Sequence, residues 1–198
     1  MKPDLLKNYL PPGAMPFISD WLEDVGVVIK IKNSRRTKLG DYKFDRQSGL
    51  HQISIDKELQ TDAFFFVLTH EIAHLKVNQA FGRMVKSHGI EWKITFGKML
   101  VESLEIYPEN LKPFILNHAR SPKASVGADK FLFQKLFLHE DHREKLVENM
   151  SENQKFRIGK RVFERGSKRK IRYLCRELKT GRLFLVNGQA IVDEIIKE

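Results

Sequence analysis

Residues 63–81 read AFFFVLTHEIAHLKVNQAF, an apolar stretch interrupted by His70, Glu71 and His74. Thr61 is placed to cap a helix here, Asp62 falls in its first turn, and Gly82 is a natural stop. On such a helix, side chains four apart leave from the same face. The H-E-x-x-H pattern at 70–74 therefore lets two imidazoles reach one metal ion, at ~2.0–2.1 Å for zinc. Glu71 is turned ~100° from His70, beside a water activated by the ion. Two ligands hold zinc poorly, so a third is required. His88, in SHGIEWK, follows a loop that begins near Gly82 and can return to the same face. Three histidines leave one position open for water, whose pKa zinc lowers towards ~7. Glu71 is then the expected general base, passing its proton on to the leaving amine. The competing reading is a helix whose histidines are half-buried and hold nothing. Its difficulty is the desolvation of two imidazoles and a carboxylate among Phe64, Phe65, Val67, Leu68, Ile72 and Leu75.

At 198 residues and 41% hydrophobic, the chain can bury one good core with a small second module. No apolar run reaches the ~20 residues that span a bilayer, and the start lacks the apolar core of a signal peptide. The single cysteine, Cys175, excludes an internal disulfide and a cysteine-based zinc site. A cytoplasmic protein is expected.

The rest of the chain divides by periodicity. Residues 17–24 read as a short helix with Pro16 in its first turn. Residues 25–32, a stretch around Tyr42 and Phe44, and residues 50–56 read as strands. Their short connections suggest a small antiparallel sheet, and the 50–56 strand is placed to offer its edge to an extended peptide. Residues 89–104 form another helix, Pro108 and Pro113 bracket a short helical piece, 118–129 is a polar linker, and 130–149 is an amphipathic helix. Strands are expected at 156–164, 170–176 and 182–186. This gives three parts: 1–117, a linker and helix over 118–152, and a β module over 153–198.

The THEIAHLKV segment with its third histidine in SHGIEWK resembles the SprT-like family of zinc metallopeptidases, the family of SprT and Spartan. The upstream SRRTKLGDYKF and HQISID are similar too, and the resemblance covers about residues 15–105. It implies an α+β, zincin-like domain with one zinc ion on His70, His74 and His88 and with Glu71 as base. It also implies an endopeptidase acting on DNA-associated or DNA-crosslinked proteins, with activity coupled to DNA binding. Many bacterial members end in a zinc ribbon with paired cysteines. Residues 153–198 have ribbon-like strand spacing but only Cys175, so a degenerate, metal-free ribbon is expected.

Of the net charge of +10, +8 falls in residues 153–198. Such asymmetry suits a polyanionic partner, or else a basic surface that only keeps the chain soluble. Arg165, Lys168, Arg169, Lys170 and Arg172 cluster around one turn and are the candidate nucleic-acid contacts. No base-reading motif accompanies them, so sequence-independent DNA binding is expected. Neutralising ~4–5 phosphates would give log K a slope near −4 against log salt. Phe163 and Tyr173 are either stacking platforms or module core. Arg35, Arg36 and Lys38 either extend the basic surface or form a solvated turn. His139, Glu140, Asp141 and His142 read as a charged helix surface, His51 and His118 have no identified partners, and Cys175 reads as a small buried residue. Trp92 is placed either to pack near the metal or to serve as ordinary core. Spacing does not identify the group that stabilises the oxyanion; Tyr42 is one candidate. The rival to the peptidase is a nucleic-acid-binding protein whose metallopeptidase domain is structural or weakly active.

Overall fold

In the computed structural model, residues 3–34, 38–82, 84–138 and 145–196 are described. The chain is α+β and divides into two compact units, Met1–Phe137 and Leu138–Glu198.

The first unit contains helices α1 (Pro3–Lys7) and α2 (Ala14–Trp21), strands β1 (Val27–Lys32), β2 (Gly40–Phe44) and β3 (His51–Asp56), then α3 (Thr61–Phe81), α4 (Ile90–Glu102), α5 (Lys112–Arg120) and α6 (Lys130–Phe137). The sheet order is β1–β3–β2. β2 runs antiparallel to β3, but β1 runs parallel to it, with Val27 opposite His51 and Lys32 opposite Asp56. The sheet is therefore mixed rather than antiparallel. A short connection does not compel adjacency: residues 33–39 need only cross two strand spacings, about 10 Å. With β3 in the middle, its edges are both taken, so the strand open to an extended peptide beside α3 is β2 instead. The alternating look of HQISID also misleads. Ile53 and Ile55 are fully buried, and His51, Ser54 and Asp56 are buried as well. Their polar atoms are served locally: Asp56 accepts the Glu58 backbone N–H at 3.0 Å.

Helix α3 is the spine of this unit. Residues 63–69 are all buried, which no one-sided helix achieves. It packs on β2, β3, α4 and α6. Phe64, Phe65 and Phe66 are each at most 2% exposed, and burying such a side chain contributes about 1.5–3 kcal/mol. Gln60, not Thr61, is the N-cap residue, and Gly82 ends the helix at φ 64°. α4 approaches α5 so closely that a Cβ on Gly97 would stand 2.4 Å from the Ala119 carbonyl oxygen.

Two linker expectations change. Pro113 does not bracket a helix but lies in the first turn of α5, where its missing N–H costs nothing. α5 continues to Arg120, and His118 is buried against Phe66 and Phe96, its Nδ1 2.8 Å from Asp129. Asp129 also accepts the Leu132 N–H at the start of α6. α6 stops at Phe137, well short of residue 149. The apolar residues that prolong its periodicity serve another core: Val147 packs in the second unit, and Leu146 bridges to Ile191.

The second unit is an antiparallel sheet, β7–β6–β5–β4–β8, of β4 (Lys155–Ile158), β5 (Arg161–Arg169), β6 (Arg172–Glu177), β7 (Leu183–Asn187) and β8 (Glu194–Ile196). The expected 156–164 strand is in fact two, folded back at Gly159, whose φ of 59° favours glycine. Strand β8 has no counterpart in the sequence reading. Phe156, Phe163, Tyr173, Cys175 and Val192 fill one face with Val147 and Met150.

Candidate metal centre

His70 and His74 stand one turn apart on α3. After Gly82 the chain reverses, and the Gly89 N–H bonds to the Lys86 carbonyl at 2.9 Å. This turn sets His88 immediately before α4. The three Nε2 atoms converge: 3.3 Å between His70 and His74, 3.1 Å between His74 and His88, and 3.4 Å between His88 and His70. Three nitrogens on a tetrahedral ion at ~2.05 Å would lie about 3.3 Å apart. The triangle thus matches an ion at its apex. Three imidazoles cannot satisfy one another through these atoms, because each neutral ring offers either one N–H or one lone pair there. Among the described residues this is the group that could hold a metal ion.

The electrostatics suit a cation. Burial pushes the His70 pKa down to about 2, helped by the neighbouring histidines. Burial, then His88, lowers His74 to about 4, and burial also lowers His88. All three are held neutral, the form that donates a lone pair to a metal.

Trp92 is fully buried, and its ring centroid lies 4.7 Å from those of His70 and His88 and 5.3 Å from that of His74. It forms an apolar floor under the triad, continued by Phe96 one turn along α4, 5.3 Å from His70. Trp92 therefore packs at the site and is core as well.

The open side of the triad faces a cleft of about 480 Å³, walled by Lys38, Leu39 and the first half of β2 to Tyr42, by α3, and by Ala124–Val126. Glu71 lines the same cleft and is 7% exposed. The sequence reading missed the residue that makes room for it. A Cβ on Gly40 would stand 2.6 Å from Glu71 Oε1, 2.9 Å from Glu71 Cγ and 2.7 Å from Val67 Cγ1. Only glycine lets β2 lie this close over the carboxylate. The signal available was a glycine at the head of a short strand, a mark of close backbone approach. Tyr42, two residues along β2, has its ring parallel to His74 within 7°, and its hydroxyl lies 2.8 Å from His51 Nδ1. His51 thereby gains the partner that the sequence did not show.

The basic candidates separate. Lys168, Arg169, Lys170 and Arg172 are exposed around the β5–β6 hairpin. Arg165 is not with them: its guanidinium lies over the Tyr173 ring at 4.3 Å, and its Nε is buried. Sharing that core face, Phe163 and Tyr173 are at most 5% exposed, so they are core and not stacking platforms. Arg165 shares the face of Phe163 two residues away, and the register of β5 against β6 shifts between Arg165 and Lys168. Lys38 is paired with Asp41 at 2.6 Å. Cys175 is fully buried, and burial raises its thiol pKa. Arg35, Arg36 and the 139–142 histidine-acid group lie outside the described residues. No described helix is long and apolar enough to cross a membrane. No protein-family model matches the chain, and no curated protein matches it.

Proposed function

We propose that the chain is a zinc-dependent endopeptidase of the SprT-like, zincin type. The observation that carries this is the compact triangle of Nε2 atoms on His70, His74 and His88, with sides of 3.1 to 3.4 Å, and with Glu71 lining the same cleft. The residues fit zinc: three neutral imidazoles with one side open. When bound there, zinc would supply Lewis acidity towards a peptide carbonyl and make water acidic enough to be deprotonated near neutral pH.

The chain's own groups do the rest. Glu71, held under Gly40, accepts the proton of the attacking water and returns it to the amine as the peptide bond breaks. Trp92 and Phe96 exclude water from the back of the site. β2 is the outer strand of its sheet, and an extended peptide would lie along it across the cleft as a further strand. A structural metal site would have no use for a carboxylate at Glu71. The exposed quartet of Lys168, Arg169, Lys170 and Arg172 supports a DNA partner, and hence DNA-associated or DNA-crosslinked proteins as substrates.

The test is Glu71→Gln, compared with wild type on a protein bound to DNA. Zinc content should stay the same and cleavage should be lost. Equal behaviour of the two proteins would overturn the peptidase and leave the nucleic-acid-binding reading.

A further inference from the structure

We infer that Tyr42 is a second catalytic residue of the cleft, aimed at the substrate carbonyl by His51; this rests on the peptidase reading. Glu71 can move a proton but, as a carboxylate, cannot stabilise the negative charge that grows on the carbonyl oxygen. A donor on the cleft wall would add to the Lewis acidity that zinc would supply there. Three facts select Tyr42. It lines the cleft together with the three histidines and Glu71. Its ring lies parallel to the imidazole of His74, with centroids 6.3 Å apart, so the phenol is fixed beside the metal centre. Its hydroxyl is tied to His51 at 2.8 Å.

The tie decides the role. A phenol has one hydrogen. If His51 carries its proton on Nδ1, the imidazole donates to the phenolic oxygen and the phenol hydrogen is directed to the cleft. With the proton on Nε2, the phenol would be spent on His51. His51, the first residue of β3, is itself 8% exposed and packs against Phe44 of β2, whose ring centroid is 4.9 Å away. It serves as a positioning residue that sets the phenol's direction. The phenol donates a hydrogen bond and keeps its proton; no bond to Tyr42 forms or breaks.

Tyr42→Phe removes the donor and leaves the ring. Loss of one such donor lowers kcat about 100-fold, and KM should stay within about two-fold, since the effect grows only in the transition state. Zinc content and melting temperature should not change. A binding readout avoids turnover: on the Glu71→Gln background, a phosphinic peptide, which mimics the tetrahedral state, should bind at least ten-fold more weakly when Tyr42→Phe is added. A plain substrate peptide should bind equally. His51→Gln, which keeps an N–H donor, should retain more activity than His51→Ala. Nitrogen-15 shifts should show the His51 proton on Nδ1. An active wild type with undiminished kcat in Tyr42→Phe, or a His51 proton on Nε2, would overturn this inference alone. An inactive wild type would overturn the peptidase reading, and this inference with it.

Discussion

Gly40→Ala is a small change with a large expected consequence. The added Cβ would meet Glu71 Oε1 at 2.6 Å, Val67 Cγ1 at 2.7 Å and Glu71 Cγ at 2.9 Å. Ordinary contact begins at about 3.4 Å, so each neighbour must yield by half an ångström or more. Rotating the carboxylate does not relieve the clash, because Cγ is not the free end of the side chain and Val67 lies in the buried stretch of α3 over residues 63–69. Two responses compete. If β2 lifts, overpacking costs about 1–3 kcal/mol. If Glu71 yields, its carboxylate moves by up to about 1 Å, and a misplacement of that size costs about 100-fold in rate. His70, His74 and His88 are not among the nearest atoms that the added Cβ meets. Purified Gly40→Ala should therefore keep one zinc per chain, melt a few degrees lower, and show kcat on a fluorogenic protein substrate reduced by about two orders of magnitude. Wild-type kcat would refute the idea that Gly40 makes room for the base. Loss of zinc would refute the claim that its effect is confined to Glu71.

Other outcomes follow from the same geometry. Gly97→Ala should cost about 1–3 kcal/mol in a denaturant melt, because its Cβ would meet a backbone oxygen, not a flexible side chain. Phe66→Ala should cost about 3–5 kcal/mol, read as a shift in the same midpoint. Replacing Lys168, Arg169, Lys170 and Arg172 with glutamine should flatten the salt dependence of DNA binding from a log–log slope near −4 towards zero; an unchanged slope would place the contacts elsewhere. Arg165→Gln should leave that slope nearly intact and instead lower the melting temperature, since its guanidinium packs on Tyr173.

The histidine cluster was legible because helix geometry is local: a four-residue spacing fixes the common face of His70 and His74 whatever surrounds them. Glu71 came with them for the same reason. His88 needed one further step, a reversal at Gly82, and a glycine at that point announced it. Strand order was not legible, since β1 beside β3 depends on a crossing that short loops permit without requiring. The partner of His51 lay hidden for a related reason: Tyr42 reaches it only through the β2–β3 register. Residues 146–149 looked like more of α6 because apolar spacing does not say which core will receive Val147. The basic cluster read as one group, but Arg165, two residues along β5 from Phe163, shares its face and packs on Tyr173, while the others are exposed around the hairpin.

Three imidazoles sharing one ion are the foundation of the proposed peptidase. Metal analysis with zinc-edge X-ray absorption on the purified chain, set beside His88→Ala, tests this most directly. The wild type should hold one zinc per chain with three nitrogen neighbours at about 2.0–2.1 Å, and His88→Ala should lose tight binding. A wild type that binds no zinc, or a His88→Ala protein that binds it as tightly as wild type, would contradict it.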